Sequence, residues 1–537
     1  MTEGNGEVRE LPKGWAWTNA STVCSSVRDG THDTPKYVEN GIPLVTSKNL
    51  KNGQIDFSTA KFISYEDHCQ ISIRSGVESG DVLFAMIGTI GNPVVIQGNQ
   101  EFSIKNVGLF KKNESIVNSY FLKLWLSSHL FEKISEEKQL IKGTTQKFIP
   151  LGNLRALPIP FPPFKEQQRI VDKVEELFSE LDQGVASLKT AQKQLKIYRQ
   201  AVLKWAFEGK LTEVWRKQRD PSTLKTGEAL LAQIKAERED RHQQQLAEWE
   251  EAVEMWEAIG KVGKKPAKPS KTKDLLFLAD KEIIDIPSLP DSWKWIQLGE
   301  VLDDIEAGKS FRCEERPPRD SEIGVAKVSA VTWGEYNELE SKTCLEQSKA
   351  EEKFLIQPGD FLFSRANTIE LVGACVIAQR VSLNVMLSDK TLRFKFSTKV
   401  SQKFILYFLK SRYGRNEIER LATGNQESMR NIGQERILRM RTPFPCPAEQ
   451  EQVVQEVESR LSICDQLEAT IIENLQKAEA LRQSILKQAF EGKLVPQDPN
   501  DEPAEKLLER IKAEQLVNGN TGKKSKPSHQ QLTLQEL

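Results

Sequence analysis

The chain has 537 residues, too many for a single hydrophobic core, so about three or four units are expected. Lysine and arginine number 75 against 76 aspartates and glutamates, a net charge of −1, so overall charge does not announce a nucleic-acid partner. No run approaches the ~18 apolar residues of a membrane span, and the acidic start MTEGNGEVRE has no signal-peptide character.

The seven cysteines are scattered without a C-x-x-C pair and the five histidines are isolated, which argues against zinc and for reduced thiols in a cytoplasmic protein. Hydrophobic residues at 38 % and aromatics at 7 % fit a soluble chain with much exposed helix.

Residues 1–164 form the first unit, which opens with Leu-Pro-Lys-Gly-Trp-Ala-Trp at Leu11–Trp17. Short apolar runs broken by Gly, Asn, Asp and Pro follow, and these spell strands and turns. The strand candidates are Ile42–Val45, Asp81–Phe84 and Pro93–Ile96. Phe121, Leu122, Trp125 and Leu126 share one face of a helix expected over Ser119–Glu137. A polar loop, Lys142–Lys147, and a proline-rich exit, Pro158–Pro163, complete the unit.

Residues 165–212 are expected to be one long helix ending in Ala206–Leu211, AFEGKL. Ile170, Val174, Leu177, Leu181, Leu188, Leu195 and Val202 recur at heptad-like steps, with an interruption at Gly184. Residues 213–288 read as a helical insert and basic linker. They hold EALLAQIKAE at Glu228–Glu237, a polar helix at Arg238–Ile259 with Trp249 and Trp256, and Gly263-Lys264-Lys265-Pro266. The insert reads either as a partner-docking surface or as a solvated spacer.

Residues 289–447 repeat the plan of the first unit. Leu289–Trp295 is Leu-Pro-Asp-Ser-Trp-Lys-Trp, and Gly359-Asp360 stands before Phe-Leu-Phe as Gly80-Asp81 stands before Val-Leu-Phe. A helix at Lys403–Ser411 and Pro443-Phe444-Pro445 complete the match. Residues 448–495 are the second long helix, with Val453, Val457, Cys464, Leu467, Ile471, Ala478, Leu481 and Ile485 on its seam and AFEGKL again at Ala489–Leu494.

The two helix segments align without a gap, about two-fifths identical over roughly 46 residues. Residues 496–537 hold EKLLERIKAE at Glu505–Glu514 and a basic tail. A helix of that length would run about 66 Å, and two such seams most economically bury each other. The fold class expected is therefore mixed α/β (α+β). Two domains would be separated by two long antiparallel coiled-coil helices in a pseudo-twofold repeat, with one domain at each end. The other arrangement has each helix packing on its own domain or on a partner.

No catalytic constellation is legible. Phe161-Pro162-Pro163-Phe164 resembles the amino-methyltransferase tetrad, but phenylalanine cannot accept a hydrogen bond from a base amine. Ala307-Gly308-Lys309-Ser310 ends like a phosphate loop, yet Asp303 stands where the first glycine is required.

Nucleic-acid binding has positive support. Lys395, Lys399, Lys403, Lys410, Arg412, Arg415, Arg420, Arg430, Arg436 and Arg439 fall between Arg393 and Arg441, as a phosphate-binding face or a salt-bridged surface would require. Turn-forming loops in both repeats carry base-reading side-chain types. The first repeat offers Thr31 and His32, then Ser47, Lys48 and Asn49, then Thr144, Thr145, Gln146 and Lys147. The second offers Lys309, Lys327, Ser329, Arg365, Asn367, Asn425, Gln426, Ser428 and Arg430.

In Asp29-Gly30-Thr31-His32 with Thr34-Pro35, in Gly359–Arg365, in the proline-rich exits into Glu166-Gln167 and Glu449-Gln450, and in both AFEGKL endings, the chain resembles the specificity subunits of type I restriction-modification enzymes. The resemblance covers nearly the whole length.

It implies two target-recognition domains, each reading half of a split double-stranded DNA site. Helix length would set the unread gap, and the helices would dock two modification subunits. It further implies no catalysis and no cofactor in this chain: S-adenosylmethionine would sit on the modification subunits, and ATP and Mg on the restriction subunits. A self-sufficient methyltransferase or nuclease, or a coiled-coil adaptor, are the alternatives.

Overall fold

The structure is a computed structural model that describes residues 10–220, 226–269, 278, 286–319, 321–426 and 429–521. It divides into two compact units, Met1–Lys189 with Ile472–Leu537, and Thr190–Ile471. Each unit holds one mixed domain, part of each long helix, and a further helix that closes the domain's base.

In the first unit, β1 (Ala16–Asn19) pairs antiparallel with β12 (Pro158–Phe161). An antiparallel sheet runs β2 (Ser26–Asp29), β11 (Val107–Lys111), β8 (Val82–Ala85), β9 (Gly91–Val95). A second runs β10 (Ser103–Lys105), β4 (Ile42–Thr46), β7 (Lys61–Ile63), β3 (Tyr37–Val38), and only its β10–β4 pair is parallel. The hairpin β5 (Leu50–Lys51) and β6 (Gln54–Ile55) turns through Asn52 and Gly53, both at positive φ as a tight hairpin turn demands. Helices α1 (Ala20–Val23), α2 (Tyr65–Ser75), α3 (Ser119–Leu126), α4 (His129–Glu137) and α5 (Leu151–Arg155) pack around these sheets.

The single helix expected over Ser119–Glu137 is thus two. Ser128 breaks it: its hydroxyl donates to the Trp125 carbonyl (2.7 Å) and accepts from the Phe131 amide (3.2 Å), starting α4 afresh.

The second unit repeats the strand pair and both four-stranded sheets of the first. There β13 (Lys294–Gln297) pairs with β25 (Arg441–Phe444). One sheet runs β14 (Leu302–Ala307), β22 (Thr391–Phe396), β18 (Phe361–Ser364), β20 (Cys375–Ile377). The other runs β15 (Cys313–Glu314), β17 (Ser341–Cys344), β16 (Gly324–Ala326), β21 (Val385–Met386), again with one parallel pair, β16–β21. A small sheet, β19 (Ala366–Asn367), β24 (Met429–Asn431), β23 (Thr423–Gln426), is added, with α9 (Gln402–Lys410), α10 (Arg412–Leu421) and α11 (Gln434–Leu438).

The Gly-Asp pairs belong to this frame. Asp81 is fully buried, accepting from the Glu78 and Lys112 amides and from Lys111 Nζ. Asp360 likewise takes the Gln357 amide and Arg393 Nη1. Each carboxylate ties the turn before a central strand to a cation on the neighbouring one.

The long helices are α6 (Phe164–Phe207) and α12 (Pro447–Phe490), 44 residues each. They pair antiparallel within each unit. In the first, Asp182 meets Arg482, while Ile170 and Val174 share a core with Ile485 and Phe490. In the second, Arg199 Nη2 bonds Asp465 (2.7 Å) and Glu468 (2.8 Å), while Val202 and Phe207 share a core with Val453 and Val457.

The first helix runs unbroken through Gly184, as expected of one long helix whose seam alone is interrupted there, at a cost of ~1 kcal/mol for a helical glycine. Two sequence expectations are corrected here. Leu467 and Leu481 are about half exposed, 49 % and 51 %, because two helices bury only a narrow stripe, here Cys464, Ile471 and Ile485. Finally, the helices end at Phe207 and Phe490 rather than at 212 and 495. Gly209 and Gly492 take left-handed φ, and Lys210 and Lys493 amides reach back to the Trp205 and Gln488 carbonyls (2.9 Å each), which is a Schellman stop.

The AFEGKL ends dock crosswise. Phe490 packs edge-on to Phe121 (5.4 Å) and Trp125 (5.1 Å) of the first domain. Phe207 packs on Phe404 (5.3 Å) and Phe408 (5.4 Å) of the second. A Cβ on Gly492 would lie 2.3 Å from Pro12 Cγ, and one on Gly209 2.4 Å from Pro290 Cγ. The repeated Leu-Pro opening is therefore the seat of the repeated AFEGKL ending.

The Glu-Gln pairs lock the other end of each helix. Gln167 accepts from the Asn118 amide and donates to Ile116 and Pro162 carbonyls; Gln450 accepts from Ser401 and donates to Pro445.

After α7 (Glu213–Lys217), the insert is one helix, α8 (Gly227–Ala258), rather than a short helix followed by a separate polar one. Leu230, Leu231 and Ile234 anchor its start in the second unit's core. The expected basic linker folds back along it: Trp249 Nε1 donates to the Pro266 carbonyl (3.1 Å) and Trp256 Nε1 to the Gly263 carbonyl (3.3 Å). In the first unit α13 (Ala504–Thr521) takes the equivalent place, with its Ala504 amide on the Gly14 carbonyl as Gly227's is on Ser292. The remaining linker, 270–277 and 279–285, and the basic tail from 522 lie outside the described residues.

Candidate nucleic-acid interface

Strand register decides which loops meet. In the first domain Val107 at the start of β11 sits opposite Ala85 at the end of β8, and Gly108 opposite Asp29 at the end of β2. The segments leaving these strands, Gly30–His32, Asn106 and Met86–Gly88, therefore emerge on one rim. Gly30 is required there, since a Cβ would lie 2.3 Å from the Ile104 carbonyl.

The parallel β4–β10 pair brings Thr46 beside Lys105, so Ser47 and Lys48 join the same rim. The Lys142–Phe148 hairpin is tied to it through Ile87, and the Gly88 amide donates to the Lys147 carbonyl (2.9 Å). Thr144, Thr145, Gln146 and Lys147 are exposed at its tip, and Lys48 is exposed and makes no ion pair among the described residues.

The second domain builds the same rim from other residues. Ala307 faces Leu392, and Ser364 faces Thr391. Hence Gly308-Lys309-Ser310 lies where Gly30-Thr31-His32 lies in the first, and Lys390 where Asn106 lies. A Cβ on Gly308 would meet the Leu387 carbonyl at 1.8 Å, so the phosphate-loop-like string is a close strand approach.

The Arg365 amide donates to the Lys390 carbonyl, and its carbonyl accepts from the Ile432 amide (2.9 Å each). Its neighbours Ala366 and Asn367 pair with Asn431 and Arg430. Arg430 Nη1 donates to the Gly424 carbonyl (2.6 Å), which shapes the hairpin that carries Asn425 and Gln426. The side chains of Asn425 and Gln426, and all of Ser428, lie outside the described residues.

Several predicted readers are already engaged. Asn49 is buried: Oδ1 accepts from Thr46 N and Oγ1, and Nδ2 donates to Asp56 O and Thr59 Oγ1. With no free hydrogen-bonding capacity, it braces the loop instead of reading a base. Both nitrogens of His32 are held, by Asp29 Oδ2 and Asn106 Oδ1 at 2.9 Å each. Ser329 donates to Glu340 (2.6 Å), Lys327 lies 3.6 Å from Glu315, and Lys309 pairs with Glu351.

Of the two readings of the basic stretch between Arg393 and Arg441, the ion pairs favour the salt-bridged one. Lys395 pairs with Glu306, Lys399 with Glu237, Lys403 with Glu458, and Arg420 and Arg441 with Glu417. Arg415 donates to the Ile369 and Val372 carbonyls, and burial pushes the Lys410 amine below its ordinary range. This stretch is largely an internal brace.

Sequence reasoning passed over Lys105, Asn106 and Lys390, which complete the rims. Asn106 carries a signal of its own, a left-handed φ of 54° between two strands, where asparagine is favoured among residues with a side chain. Among the described residues no group of three or more His, Cys, Asp or Glu is placed to hold a metal, and no helix is long and apolar enough to cross a membrane.

Comparison with known proteins fits this geometry. Residues 22–189 match the type I restriction modification DNA specificity domain. The chain is 24 % identical to the EcoKI specificity subunit of Escherichia coli strain K12, over 96 % of this chain and 98 % of that one. It is 26 % identical to the EcoEI specificity subunit of Escherichia coli, over 86 % and 80 %. A solved chain from a study of complex assembly and conformational transition of the type I R-M system superposes with a TM-score of 0.57 at 18 % identity, over 90 % of this chain and 99 % of that one.

The fold is shared with that solved chain, and residues 22–189 carry the likeness to a DNA specificity domain. Over most of its length the chain is similar in sequence to type I restriction enzyme specificity subunits.

Proposed function

We propose that this chain is the DNA sequence-specificity subunit of a type I restriction-modification complex, with each domain reading one half of a bipartite double-stranded target. The observation that carries this is the doubled rim: one strand plan, used twice, presents two different sets of polar side chains at the same place. A frame repeated with its rim rewritten suits a reader of two different sequences.

Catalysis falls to partners in this reading. Modification subunits supply S-adenosylmethionine chemistry, restriction subunits supply ATP- and Mg-dependent cleavage, and the whole works in the cytoplasm. Apolar side chains left exposed on the long helices, Ile197 (70 %), Ile463 (54 %) and Ile472 (46 %), support docking of two modification subunits there.

Replacing the block Leu11–Pro160 with that of another specificity subunit is expected to change one half of the methylated site and spare the other. A change in both halves, or in neither, overturns the reading. Methylation of target DNA by this chain alone, with labelled S-adenosylmethionine, would favour a self-sufficient methyltransferase.

A further inference from the structure

We propose that Asp29, His32 and Asn106 form a clamp that positions the reading rim of the first domain, with His32 serving as a strut that leaves base contact to its neighbours. The inference rests on the DNA-reading function above.

His32 is exposed along its ring (57 %), as a DNA-contacting residue would be, yet each ring nitrogen lies 2.9 Å from an oxygen of the protein. No ring nitrogen is left for a base edge. Asp29 is buried (3 % side-chain exposure) and is itself fixed by Arg74, whose carbonyl accepts from Arg28 Nη1 (2.6 Å). The strut therefore stands on a rigid base.

Asn106 is its far end, and it touches every segment of the rim's centre. Its amide donates to the Thr31 carbonyl (3.2 Å), its carbonyl accepts from Ser47 Oγ (3.2 Å), and its side chain holds His32. Thr31 and Ser47 are thus held in one arrangement before any ligand arrives, with Lys48 next to Ser47 in sequence and the Lys105 amine donating to Thr34 Oγ1. Holding the rim in one arrangement keeps it from re-packing to fit a wrong base, so a loosened rim would treat right and wrong sequences more alike. The second domain has Ser310 and Lys390 at the places of His32 and Asn106, and Ser310 bonds the Asp389 carboxylate instead, so among the described residues no histidine strut forms there and that domain is an internal control.

The test uses the full chain assembled with its modification subunits. Methylation is measured on the cognate site and on sites carrying one wrong base in either half. Asn106→Gly keeps the left-handed backbone and deletes the side chain; Asn106→Asp keeps both the backbone preference and an acceptor for His32.

Asn106→Gly and His32→Ala are expected to lower discrimination at the first domain's half-site about tenfold, the scale of one base contact, and to leave the other half-site unchanged. Asn106→Asp is expected to stay near wild type. Melting temperatures of the same variants separate loss of fold from loss of reading. Unchanged discrimination in both Asn106→Gly and His32→Ala, or an equal loss at both half-sites, overturns the clamp. A failed block swap of Leu11–Pro160 would instead overturn the underlying function.

Discussion

Replacing Phe490 with alanine probes the crosswise docking of the long helices. Phe490 closes the helix that begins beside the second domain, yet its ring is 2 % exposed in the first unit, against Phe121 and Trp125. Truncating a buried phenylalanine costs about 3–5 kcal/mol, of which the two edge-on ring contacts account for about 0.5–1.5 kcal/mol each. At ~1.4 kcal/mol per factor of ten, the most protected amides of the first unit should exchange roughly 100-fold faster or more.

Hydrogen–deuterium exchange of the whole chain, read by peptide, is the assay. Peptides from the sheets between Ala16 and Phe161 are expected to lose protection, and those from Lys294 to Phe444 to keep it. Phe207→Ala should give the mirror result. Loss confined to Lys294–Phe444 in Phe490→Ala would refute the crossed arrangement.

Asn49→Ala should destabilise the first domain by about 1–3 kcal/mol, since it orphans buried partners, without altering the methylated sequence; an altered sequence would make Asn49 a reader. Burial pushes the Glu417 carboxyl up, but hydrogen bonds from Arg441 and Arg420 outweigh it and hold the carboxyl below its ordinary range. Because the folded value is depressed, this group contributes stability above the ordinary glutamate range near pH ~4.3 and loses it as pH falls below. Glu417→Gln should therefore cost about 3–5 kcal/mol near neutrality by leaving buried Arg441 uncompensated, and melts should show the deficit shrinking in acid.

Glu166 is the opposite case. Burial raises it despite the bond from Trp15 Nε1, so its contribution is complete in acid and fades as pH rises through the raised value. Glu166→Gln should flatten that fall in melts of the first unit. Inserting about one turn, ~4 residues, into both long helices should lengthen the unread gap in the methylated site and spare both half-sites. Altered half-sites with an unchanged gap would refute the ruler.

The duplication was legible in the sequence because it lies in local features. Heptad spacing, glycine stops, the Leu-Pro openings and the Gly-Asp turns each depend on a few neighbouring residues, and each recurs. Polar loops at matching places in both repeats pointed to the rims for the same reason.

The charge of the Arg393–Arg441 stretch left both readings open, because linear composition does not say that Glu306, Glu417 and Glu458 meet those cations. Asn49 misled for the same reason, since its acceptors come from Asp56 and Thr59.

Tertiary structure alone decided two matters. Strand register gathered Thr31, Ser47, Asn106 and the Lys142–Phe148 hairpin, far apart in the chain, onto one rim. Antiparallel pairing of α6 and α12 sent each AFEGKL end to the domain it does not follow in sequence. An apolar helix end specifies that it must be buried, whereas which Leu-Pro seat receives it depends on the direction in which two 44-residue helices pair.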